Sequence, residues 1–105
     1  MFETAISMID DSIYSFINED TKIVKWVFGK DKTLNKINKE TSEVIAELCR
    51  KNPKNIKRLL YLFSIMKKLE RVGDLAKNIA EETVFYVDAK IIKHKKKKKK
   101  NKYLP

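Results

Sequence analysis

The sequence predicts an all-α protein, a single antiparallel three-helix bundle followed by a disordered basic tail. Three observations lead there. Glycine and proline number only two each in 105 residues, far too few for the frequent turns that a sheet protein needs. Apolar residues recur at steps of three, four and seven along three segments, the spacing of one helix face. Only short polar connections separate those segments, and amphipathic helices so joined bury their stripes by packing antiparallel.

The first helix is expected over about 2–18, on the stripe Ala5, Ile6, Ile9, Ile13, Phe16 and Ile17. Asn18-Glu19-Asp20-Thr21 supplies cap residues that end it and start the next. The second spans about 21–51, with Ile23, Val27, Leu34, Ile37, Thr41, Val44, Ile45 and Leu48 on its apolar side. Gly29 interrupts it, at a cost of roughly 1 kcal/mol relative to alanine. Asn52-Pro53 reads as an N-cap followed by proline at the first helical position. The third helix is long, about 53–89. Its broad apolar arc includes Leu59, Leu62, Ile65, Met66, Leu69, Val72, Ala76, Ile79 and Ala80, wide enough for two partner helices. Gly73 lies within that arc, and a mid-helix glycine implies close approach of a neighbour.

The bundle is therefore assigned to residues 1–89 and the tail to 90–105. Nine of the lysines fall in the tail: Lys90, Lys93, Lys95 to Lys100 and Lys102. The formal charge is +10, and removing these nine leaves +1, from 15 basic and 14 acidic side chains. The folded part is near neutral, so any polyanion contact belongs to the tail. A homopolymeric lysine run cannot be buried and repels itself, which predicts disorder there. Nonspecific binding of nucleic acid or an anionic surface through this tail is the alternative function, with a steep salt dependence as its mark.

Cys49 is the single cysteine, so a reducing compartment is the default. The N-terminus lacks the charge and apolar run of a signal peptide. The longest uncharged run, Leu59 to Met66, is far short of the roughly 20 residues of a membrane span. The reading is a cytoplasmic protein. His94 is the single histidine and sits among tail lysines. With no His-based triad, no Cys/His pair and no glycine-rich phosphate loop, no catalytic residue is assigned and an enzyme is not expected.

The chemistry concentrates on the third helix. Glu70, Asp74, Asn78 and Glu81 step by four, four and three residues, beside the apolar arc. Carboxylates at i and i+4 repel, and oxygen arrays of this kind take hard cations. The second helix has a matching polar margin of Asp31, Asn35, Asn38 and Ser42, which antiparallel packing can set alongside. The competing reading is an ordinary charged face, with Lys67 and Lys77 placed at i+3 and i+4 to satisfy the acids. Trp26 and Phe28 lie off the second helix's stripe, either at a contact surface or under a neighbouring helix.

The segment Leu69-Glu70-Arg71-Val72-Gly73-Asp74-Leu75-Ala76-Lys77-Asn78-Ile79-Ala80-Glu81-Glu82 closely resembles the signature of the PhoU family, roughly E-R-[IV]-G-D-x-x-x-N-I-x-E. Met8 to Phe16 is similar to the first helix of a PhoU repeat, and Asp31-Lys32-Thr33-Leu34-Asn35 falls at the family's acid-x-x-x-Asp motif. The resemblance covers about residues 1–90. It implies half of a protein built from two tandem three-helix bundles. It also implies negative regulation of phosphate uptake and of the phosphate-starvation response, in partnership with the ATPase of the phosphate ABC transporter and a phosphate-sensing histidine kinase. Metal ligands implied by position are Glu70, Asp74 and Asp31, with Asn78 and Glu81 neighbouring or supporting. The metal would be iron or another divalent or trivalent ion. Asn35 stands where the family usually carries Asp, so the resemblance implies one weakly held ion rather than a cluster. A single bundle implies a homodimer or association with a second PhoU-like bundle. A truncated product, a fragment, a half-size relative and a remnant without function are all compatible with this sequence.

Overall fold

The computed structural model describes the backbone of residues 1–103 and the side chains of residues 1–95. Leu104 and Pro105, the end of the tail expected to be disordered, lie outside the described residues. Three helices follow one another: α1 Phe2–Ile17, α2 Val24–Lys51 and α3 Ile56–Tyr103, with a 3-10 turn Pro53–Asn55 before α3. Asn52 closes α2, its amide bonding to Leu48 O, and Pro53 opens the 3-10 turn.

Two helix ends differ from the spacing-based reading. α2 begins at Val24 rather than near 21, because residues 21–23 form a turn in which the Asp20 carboxylate accepts the Lys22 amide at 3.0 Å. α3 does not stop at Ala89, where the disordered tail was expected to begin, but carries its backbone to Tyr103. Lysine is a good helix former, and extending an existing helix costs far less than nucleating one. Lys90, the first residue of that segment, reaches Glu19 at 2.8 Å.

Pairing across the helices sets the topology. Asp31 lies against Lys77 and Asn38 against Glu70, so α2 and α3 run antiparallel. Met8 sits beside Gly73 and the Phe16 ring packs at a tilt against Tyr86, so α1 runs parallel to α3 and opposite to α2. Lys30 of α2 fastens this end by bonding to Ser7 and Asp11 of α1.

The interior is built from smaller side chains than expected. α1 buries Ala5, Met8, Ser12 and Ser15, each one residue ahead of the stripe Ile6, Ile9, Ile13 and Phe16. α3 answers with Gly73, Ala76, Ala80 and Thr83. Small residues on both sides let the two helices approach closely. The buried hydroxyls are satisfied within their own helices: Ser12 to Ile9 O, Ser15 to Ser12 O and Thr83 to Ile79 O, all at 2.7–2.8 Å. The larger Ile6, Ile13, Phe16 and Ile17 remain substantially exposed. Met8, Val24, Val27, Leu34, Ala76 and Ala80 form the central cluster, and Phe28 packs against it. Trp26 stands 68% exposed, so the two off-stripe aromatics have different fates.

α1 is 16 residues long against 28 in α2. With Met8 level with Gly73 and α1 parallel to α3, α1 begins near the level of Met66. The α2–α3 hairpin continues beyond it, and there Val44, Leu62 and Ile65 of the expected apolar faces are exposed.

Candidate functional site

The candidate site is the seam between α2 and α3. Along α2 the buried positions are Val24, Val27, Asp31, Leu34, Asn38 and Ile45, a nearly unbroken series of three- and four-residue steps. Asp31 and Asn38 thus occupy core positions, each only 6% exposed. Polar groups buried this way are costly unless paired.

Two polar nodes result, two helical turns apart. At the first, the Asn35 amide donates to Asp31 Oδ2 at 3.4 Å, and the Lys77 ammonium stands 3.7 Å from the same oxygen. At the second, the Asn38 amide donates to Glu70 Oε2 at 3.1 Å, and Lys67 donates to that oxygen at 3.3 Å. Between the nodes Leu34 packs over Gly73. A Cβ on Gly73 would overlap Leu34 Cδ2 and meet Met8 Sδ and Cε at 3.7 Å. The glycine therefore brings α3 close enough for the polar groups to meet. Two buried oxygens, Asp31 Oδ1 and Asn38 Oδ1, have no hydrogen-bond partner among the described residues.

The expected ligand positions divide accordingly. Asp31 and Asn35 share a node, and Glu70 joins the seam through Asn38. Asp74 lies on the exposed rim, as does Glu81. Asn78 lines a different feature, an apolar cleft of about 530 Å³ with Ile13, Phe16, Leu75, Ile79 and Glu82. Among the described residues, no three acidic, histidine or cysteine side chains gather as one donor set. Spacing did not single out Asn38 as the bridge between the helices. Its signal was a polar residue at a core position, seven residues after Asp31. Both lysines weighed as partners of the acids stand at the seam, Lys67 on Glu70 and Lys77 across the helices on Asp31.

The family model described as the PhoU domain matches residues 1–83, which include α1, α2 and the whole signature segment Leu69 to Glu82 on α3. The chain belongs to the PhoU family. Among curated PhoU relatives, a phosphate-specific transport system accessory protein PhoU homolog of Aquifex aeolicus is 32% identical over 100 residues. That match takes in 95% of this chain and 45% of the relative. PhoU homolog 1 of Thermotoga maritima is 26% identical over 93 residues, 89% of this chain and 40% of the relative. A Pseudomonas aeruginosa PhoU homolog is 28% identical over 87 residues, 83% of this chain and 36% of the relative. The chain spans less than half the length of these relatives. Among the described residues, no helix is long and apolar enough to cross a membrane.

Proposed function

We propose that this chain is a non-enzymatic PhoU module that restrains phosphate uptake and the phosphate-starvation response in the cytoplasm. It would act through contact with the phosphate transporter's ATPase and a phosphate-sensing histidine kinase. The observation that carries this reading is the structural use of the signature segment. Glu70 engages α2 across the seam, Gly73 admits Leu34, and Ala76 and Ala80 form the small-residue face against α1. The relatives' name, accessory protein of a phosphate-specific transport system, supports the same assignment.

The seam also suits one hard cation. Asp31 would hold it through its unpartnered Oδ1, with oxygen from Asn35 and further charge from the rim carboxylate of Asp74. Such an ion would supply charge neutralisation between the helices. The exposed apolar side chains along α1 and α3 support pairing with a second PhoU bundle, a second copy of this chain included.

Two measurements test the regulatory reading. Removal of the chain from its cell should raise a phosphate-responsive transcriptional reporter in phosphate-replete medium. The full chain, immobilised, should retain the transporter ATPase or the sensor kinase. An unchanged reporter together with failure to retain either protein would refute it.

A further inference from the structure

Asp31 presents an unusual balance of charge. Its carboxylate is almost wholly buried, and among the described residues one oxygen has no hydrogen-bond partner and the other takes only a long bond from Asn35. A buried carboxylate in that state needs a positive charge nearby. Lys77 of α3 supplies one at 3.7 Å. The two partners differ sharply in freedom: the Asp31 side chain is 9% exposed and that of Lys77 42%. Asp31 cannot leave the seam without breaking the helix packing. Lys77 can swing into water on its four-carbon stem.

We propose that the Lys77 ammonium is the resident cation of the α2–α3 seam, and that a divalent metal ion reaches Asp31 only by displacing it. Residue 77 thereby sets the metal affinity of this chain, a role additional to that of the ligands. The inference rests on the reading of the seam as a cation site and extends it. Three features support the competition. Asp31 is the seam's buried carboxylate, so lysine and metal need the same group. Asn35 adds an amide but no charge, so no second buried carboxylate stands beside Asp31 to hold both cations together. Glu70 is already engaged by Asn38 and Lys67 and is not free to compensate. Lys77 and an entering metal ion would repel each other at short range in a poorly solvated seam.

The test uses the full chain, with MnCl2 as the probe and chelator-treated protein as the reference. Wild type, Lys77→Gln, Asp31→Asn and the double variant are compared by thermal midpoint and by Mn2+ titration followed by electron paramagnetic resonance. Lys77→Gln is expected to melt lower than wild type without metal. It should bind Mn2+ at least about tenfold more tightly and recover its midpoint as Mn2+ is added. The double variant should lose that response and, with no charge left unpaired, regain midpoint without metal. It therefore remains informative even if Lys77→Gln alone folds poorly. Equal Mn2+ affinity in wild type and Lys77→Gln would overturn the role of Lys77 while leaving the seam a metal site. No Mn2+ binding by either protein would overturn both.

Discussion

The two glycines make opposite demands on the same kind of helix. A Cβ on Gly29 would meet nothing within 4 Å, so the residue serves no packing purpose. Gly29→Ala should stabilise the protein by about 1 kcal/mol, through helix propensity alone. Urea unfolding should show a higher midpoint at unchanged slope. Gly73→Ala gains the same propensity but drives a methyl into Leu34, which is buried and has little room to move. Overpacking of that kind costs roughly 1–3 kcal/mol, so the net change should be destabilising. Adding Leu34→Ala removes the overlapping atom, and the two changes should couple strongly in a double-mutant cycle. Spacing alone indicated that Gly73 had a packing reason. Which side chain supplies it depends on the α2–α3 register.

Among the elements, α1 shows most clearly how a seam of small residues organises its surroundings. Its C-terminal end is a Schellman motif: the Glu19 amide bonds to Phe16 O at 3.4 Å and the Asp20 amide to Ser15 O at 2.9 Å. Glu19 takes the left-handed conformation there, with φ of 52°. That conformation favours glycine and costs other residues on the order of 1 kcal/mol. Glu19 has a use for its side chain nonetheless, since it accepts a hydrogen bond from Lys90. That hydrogen bond, reinforced by charge attraction, raises the Lys90 pKa above its usual value. The pair is therefore complete at neutral pH, and its contribution is lost as pH rises through the raised Lys90 pKa. Both groups are largely solvent-facing, so the pair is worth little. Glu19→Gly is expected to raise the thermal midpoint slightly. A lower midpoint would show that the link to α3 outweighs the backbone strain.

At the scale of the whole molecule the chain is long and thin, 81 by 18 by 17 Å, its length set by the 48-residue α3. A chain of that shape buries little, and large apolar residues remain outside: Ile13, Phe16, Leu75 and Tyr86 on the α1–α3 side, and Val44, Leu62 and Ile65 on the hairpin beyond α1. The apolar cleft at Ile13, Phe16, Leu75 and Ile79 concentrates part of that surface. Self-association should follow, visible as a sedimentation coefficient that rises with concentration in the micromolar range. Leu75→Glu is a suitable probe, because Leu75 is 55% exposed and its replacement should leave the fold intact. It should shift the distribution toward monomer with little change in helical circular dichroism. Persistence of the larger species would direct attention to the hairpin residues instead.

Helix number, helix type and the importance of the signature segment were legible in the sequence, because a period of three to four residues and a scarcity of turn residues are local properties. The family resemblance rested on the same local pattern along α3. The tertiary structure decided which face of each helix goes inside. On α1, Ala5-Met8-Ser12-Ser15 and Ile6-Ile9-Ile13-Phe16 have the same helical spacing, and hydrophobicity favours the second. Packing against Gly73, Ala76 and Ala80 selects the first: Ala5, Ser12 and Ser15 are small, and Met8, the one long side chain of that face, lies against Gly73, where no Cβ stands. On α3, spacing left Lys77 equally free to pair with Asp74, Glu81 or solvent. The antiparallel register of α2 set it beside the buried Asp31 instead. The identity of the groups at the seam is a matter of sequence, whereas the ionic partner of each is fixed by which helices pack and at what offset.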